Sequence, residues 1–127
     1  MYRNTHMNFV STLLTITNQL HVYHWQTPSG FHHEKFGEAY DNLDGLLDRF
    51  VEVFMGKNGR ITSKEGFDLQ LSNITEIGPV DFINKMIDFL TNDLPKALKE
   101  EDTDLLNIRD EMLAELNKLK YLITSLK

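Results

Sequence analysis

His24, His33, Asp48 and Glu52 are the side chains in this sequence whose types and spacing could do chemistry. Imidazole nitrogen and carboxylate oxygen are the donors a divalent metal ion can take from a chain with no cysteine. Four of the five histidines and the single tryptophan fall between Leu20 and Glu52. His21 and His24 lie three apart and share a helix face. His33, Gly37, Asp41, Asp44, Asp48 and Glu52 follow at spacings of three or four, a polar line down a second helix. Phe36, Tyr40, Leu43, Leu47, Phe50 and Phe54 draw an apolar line beside it. A helix that buries one side and edges it with histidine and carboxylate points to a metal site.

The elements that must position these groups are helices. Phe9, Leu13, Ile16, Leu20 and Tyr23, widened by Val10 and Leu14, predict a helix from about Thr5 to Trp25. Thr27-Pro28-Ser29-Gly30 breaks it, and Ser29 can cap a second helix running from about Phe31 to Met55. Residues 56–78 form a connection longer than most in a small domain. Its hydrophobes Phe67, Leu69, Leu71, Ile74 and Ile77 imply that it lies across the domain, with a short helix of its own expected there. Pro79 opens a third helix with Val80, Ile83, Ile87, Leu90 and Leu94 on its buried side, and Pro95 ends or kinks it. Asp102-Thr103-Asp104 reads as the cap of a fourth helix, whose stripe runs from Leu105 to Leu126. With 127 residues, the expectation is one all-α domain over residues 1–127, a four-helix bundle.

If the first two helices form an antiparallel hairpin, His24 and His33 meet across a short loop. Asp48 and Glu52, four apart on one face, lie fifteen and nineteen residues beyond His33. Fifteen residues are about 22 Å of helix at 1.5 Å per residue, too far for one chain to join the two halves. A second chain lying antiparallel across a two-fold axis would join them.

Leu20-His21-Val22-Tyr23-His24-Trp25 resembles the LH-x-x-HW signature of the Dps proteins, small ferritins that protect bacteria from iron and peroxide. His33-Glu34-Lys35-Phe36, Tyr40, Asp48 and Glu52 resemble that family's second-helix pattern, and Gly59-Arg60 its GR pair. The resemblance implies a ferritin-like four-helix bundle with a long connection between helices two and three. It implies that His24 and His33 of one subunit, with Asp48 and Glu52 of its dimer mate, bind iron and oxidise Fe(II) with peroxide or oxygen. Trp25 matches the family tryptophan beside that site. Where the family carries a carboxylate one turn after the second-helix histidine, this sequence has Gly37, so Gly37→Asp is expected to strengthen metal binding. The loop between the first two helices is shorter than the family's.

A different class of function is also open. A bundle can keep its dimer interface after a metal site decays, leaving a non-catalytic structural or protein-interaction module. On that reading His24 packs at a helix end with its ring bonded to a backbone carbonyl, and Asp48 and Glu52 are solvated charges near Arg49. His21 reads as structural, His32 as a surface residue, and Asp41 with Asp44 as a solvated face. A formal net charge of −6 argues against nucleic acid as a partner, and the first thirty residues carry one Lys or Arg, Arg3. No apolar run approaches a membrane span and the N-terminus has no signal-peptide core, so a cytoplasmic setting is expected, and the separation of the candidate ligands along one helix leads to the expectation of a homo-oligomer.

Overall fold

Every apolar stripe of the sequence is long enough to need a partner surface, and the chain supplies these partners as helices laid side by side. The computed structural model describes residues 4–126, with side chains from residue 9 onward. Helix α1 spans Asn4–Gln26 and α2 spans Gly30–Asn58. Helix α3 spans Pro79–Asp88 and α4 spans Thr103–Ser125. Among the described residues there is no strand. No helix there is long and apolar enough to cross a membrane.

The stripes are the core. Phe9, Leu13, Ile16, Leu20 and Tyr23 of α1 are buried, as are Phe36, Leu43, Leu47, Phe50 and Phe54 of α2. Ile83 and Leu90 join Leu105, Ile108, Met112, Leu116 and Leu119 from the other side. Phe9 meets Phe54 with ring centroids 5.0 Å apart, while Tyr23 meets Phe36, so α1 and α2 run antiparallel. Arg49 reaches Glu111, and Lys57 reaches Asp102 and Asp104, so α4 runs antiparallel to α2 as well.

Ser29 caps α2 as its residue type suggests, its hydroxyl accepting the His32 N–H at 3.1 Å. Gly59, at φ 87°, ends the helix in a conformation that few other residues adopt, its N–H returning to Met55 O. From there the connection returns along the bundle, because α3 begins beside the far end of α1, where Tyr23 packs on Phe82. The short helix expected inside residues 56–78 does not form. The segment stays irregular between turns, and α1 supplies hydrogen bonds to its backbone. The Gln19 amide, 2% exposed, donates to Ser72 O at 2.9 Å and accepts the Ser72 N–H at 2.7 Å. Gln26 does the same for the Ile74 N–H and the Asn73 side chain. Tyr23 donates its hydroxyl to Ile77 O at 2.7 Å. Burial, with Asp81 adding, pushes that hydroxyl up to about 12, so it remains a donor through the neutral range.

Two further departures have local causes. Helix α3 loses its α-helical pattern at Phe89, six residues before Pro95, through a π turn over Phe89–Asp93 and a 3₁₀ turn over Leu94–Ala97. A proline ring collides with the carbonyl four residues back, and the wider turn moves that carbonyl away. Asp102 stands at the N-cap of α4 but does not cap it. Its carboxylate accepts the Lys99 N–H at 2.8 Å and the Lys57 ammonium at 2.9 Å. Lys57 also reaches Asp104, so the end of α2 is tied to the start of α4.

Candidate metal site at the α1–α2 turn

Three residues, 27–29, separate the two helices, and this tight turn sets His24 and His33 face to face. Their rings stack with centroids 3.8 Å apart and planes 17° from parallel. Each ring bonds the other residue's backbone: His24 Nδ1 lies 2.6 Å from His33 O, and His33 Nδ1 lies 2.7 Å from His24 O. A carbonyl oxygen only accepts, so both Nδ1 atoms carry the proton. In the neutral ring, a proton on Nδ1 leaves Nε2 with a free lone pair. Histidines that bind metals are oriented by this kind of bond from the opposite ring nitrogen. The His33 bond also serves the helix, since His24 O is one of the last carbonyls of α1, which have no helical partner.

Gly37 makes the arrangement possible. A Cβ there would lie 3.0 Å from His24 Cε1 and 3.2 Å from Nδ1, so the imidazole of α1 rests against the bare backbone of α2. The space that a carboxylate would take in the Dps pattern is occupied by His24 itself. Behind the pair, Tyr40 presents its edge to His24 at 5.5 Å and stacks on His21 at 4.2 Å. His21 is thus a brace. Trp25 is 67% exposed and touches His21, centroids 4.3 Å apart, rather than the His24–His33 pair. His32 turns inward more than a surface residue would, its ring edge-on to Phe36.

The carboxylates lie elsewhere. Asp48 and Glu52 are exposed farther along α2. Arg49, the cation beside them in sequence, is engaged by Glu111 of α4 at 3.5 Å, and neither Asp48 nor Glu52 forms an ion pair among the described residues. Within one chain, the described residues bring no three His, Asp or Glu side chains together as a metal-holding group. One chain therefore places the two histidines at one end of α2 and the two carboxylates beyond its middle.

Sequence reasoning placed His24 beside His33, and its non-metal reading expected the His24 ring on a backbone carbonyl, as is seen; it missed the reciprocal bond from His33 and the closeness of Gly37 to the ring. Gln19, Gln26 and Lys57 were missed too. Gln19 offered a signal, being three residues after Ile16 and hence a polar group on the buried face.

Fold and site together define a four-helix all-α protein with a paired-histidine turn. Residues 24–123 match a family of unknown function, DUF5856, and the chain belongs to that family. The match begins at His24 and takes in His33, Gly37, Asp48 and Glu52. No curated protein and no solved structure matches the chain.

Proposed function

We infer that this protein is a ferritin-like, Dps-like iron-binding protein whose site is completed by a second copy of the chain. The observation that carries the reading is the pair of Nδ1–H bonds to backbone carbonyls, which leaves two Nε2 lone pairs on rings held rigidly together. The course of the chain supports it. A bundle in which one long connection carries helix two back to the start of helix three is the ferritin-like arrangement.

The residues fit the ion in kind. Neutral imidazole and carboxylate suit Fe(II), which is the substrate here, and open positions leave room for peroxide or oxygen as electron acceptor. His24 and His33 of one chain hold the ion through nitrogen. Asp48 and Glu52 of the second copy supply the negative charge that the ion needs more strongly after it gives up an electron. His21 and Tyr40 keep the His24 ring in place.

The test separates the two halves. His24→Ala with His33→Ala removes the nitrogens, and Asp48→Ala with Glu52→Ala removes the carboxylates. Each variant alone is expected to bind Fe(II) poorly in anaerobic titration and to oxidise little on peroxide addition. Co-refolded, they form mixed dimers in which one of two sites is whole, so binding and oxidation return in part. Verified mixed dimers no better than either parent would overturn the shared site.

One observation favours a second reading, a non-catalytic interaction module. The Gly37 position offers no carboxylate, and His24 fills the space one would need. A wild-type protein that dimerises yet binds no Fe(II) would establish it.

A further inference from the structure

Residues 59–78 join α2 to α3. A connection of that length in a small domain usually has work of its own, and the metal reading gives it none. Its last part is shaped before it meets any helix. Ile74 and Ile77 pack on the core, and a turn closes between them. The Glu76 and Ile77 N–H groups both donate to Asn73 O, and the Asn73 N–H donates to the Glu76 carboxylate.

This strap, residues 72–77, meets α1 along one stripe. Gln19, Tyr23 and Gln26 follow one another at spacings of four and three, and all three side chains bond it. Tyr23 and Gln26 stand on either side of His24 in the last turn of the helix. A helix end is where a helix opens most easily, because its last carbonyls have no partner within it. In α1 that end carries half of the histidine pair. His24 O accepts the His33 ring and the His24 ring reaches His33 O, so both bonds depend on where the backbone of residue 24 lies. The start of α2 is fixed locally, by the Ser29 cap. The end of α1 is gripped from a distance, by residues 47 to 54 positions later in the chain.

We propose that the strap positions the histidine pair. By gripping α1 on both sides of His24, it holds the backbone of residue 24 where its carbonyl and its ring can both bond His33. Tyr23 and Gln26, with Gln19 a turn earlier, are positioning residues that act through His24. The two imidazoles stay stacked and aligned because a segment far along the chain is seated on the opposite face of their helix. That this alignment serves an iron ion rests on the reading above of His24 and His33 as ligands. The alignment itself can be measured on the rings alone.

Nitrogen NMR of the imidazoles in EDTA reads the pair without metal. A neutral ring whose Nδ1–H bonds a fixed carbonyl keeps its proton there, whereas a released ring divides the proton between its two nitrogens. Both rings of the wild type are expected in the Nδ1–H form. Tyr23→Phe with Gln26→Met keeps size and apolar contact but removes three bonds to the strap. This double variant should keep its helical circular dichroism and shift the His24 and His33 signals together toward those of a free ring. Amide exchange in the last turn of α1 should quicken at least about tenfold. Gln26→Met alone, at an exposed position, should shift both rings in the same direction by less, and decides the matter if the double variant unfolds. Asp102→Ala, which loosens the opposite end of α2, should leave both rings as in the wild type. Rings unshifted in the folded strap variants overturn the proposal. So does an equal shift from Asp102→Ala, which would make the effect one of general loosening. Rings that respond as expected in a protein that takes up no Fe(II) remove the metal reading and leave the role of the strap standing.

Discussion

Gly37 and Gly45 stand eight residues apart in α2, both inside the helix, both at the same backbone cost. Gly37 is filled from within: His24 lies against it so closely that a methyl group would meet the ring at 3.0 Å. Gly45 is filled by nothing the described chain contains. Two identical residues in one helix thus carry opposite information. The first reports a contact that the chain completes by itself, the second a position that the described chain leaves open. A helix glycine acquires meaning from what occupies the space where its side chain would be.

The largest expected effect is at Gly37. From the sequence, Gly37→Asp adds a carboxylate and strengthens metal binding. The position of the His24 ring reverses the sign, because the new Cβ must push the ring off its bond to His33 O. Fe(II) affinity should fall by roughly 10–100-fold, the usual cost of losing a partner that orients a ligand. Calorimetry measures this, and histidine NMR shows whether Nδ1 of His24 has lost its bond. Tighter binding would mean that the ring yields without cost and that the two glycines differ less than their surroundings suggest.

A smaller effect is expected where α2 is completed by its own chain at the far end. The Lys99 N–H, with the Lys57 ammonium beside it, holds the Asp102 carboxyl below the usual carboxylate value, and Lys57 does the same for Asp104. Hydrogen bonds to Asp104 and Asp102 in turn hold Lys57 above its ordinary value. Lowered acids contribute stability that is present above their unfolded value and lost as pH falls through the folded one. A raised lysine contributes stability that is present below its unfolded value and lost as pH rises through the folded one. The clamp is therefore in force across the neutral range and fails at both extremes. Asp102 is 8% exposed, and Asp102→Ala should cost about 1–2 kcal/mol at pH 7 and flatten the acid limb of stability against pH. Urea unfolding from pH 3 to 8 measures both. An unchanged acid limb would mean the far end is held by packing alone.

The smallest effect sharpens the contrast most directly. In dilute monomer, Gly45→Ala should raise stability by about 0.5–1 kcal/mol, because the helix gains propensity and the new methyl group enters open space. Gly37→Ala should show no such gain, because the same benefit is offset by the displaced imidazole. Equal gains at both positions would erase the distinction.

Much of this was legible in the sequence because helix periodicity exposes buried faces directly. The stripes Phe9 to Tyr23 and Phe36 to Phe54 are core residues, and Ser29 caps α2. His24 and His33 were readable as neighbours because a three-residue turn leaves little freedom. What stayed hidden depends on side chains that reach across the chain. Gln19 bonds Ser72, 53 residues away, and nothing local to either residue announces it. The helix expected between 56 and 78 failed for the same reason: its hydrophobes suggested an element, but α1 already supplied the backbone bonds that a helix would have supplied. Gly37 read as a missing ligand because a sequence records the identity of a residue and not what presses against it.

The strapped connection has a consequence for a cut chain. Gln19, Tyr23 and Gln26 grip residues 72–77, downstream of residues 67–71, and α4 lies along α2. A protease severing the backbone between Gly66 and Leu71 would thus divide the polypeptide without dividing the fold. The two pieces, one carrying α1 and α2 and the other α3 and α4, would stay joined by the same glutamine amides and the shared core. On that expectation the connection acts as a clasp made of side chains more than as a covalent tether.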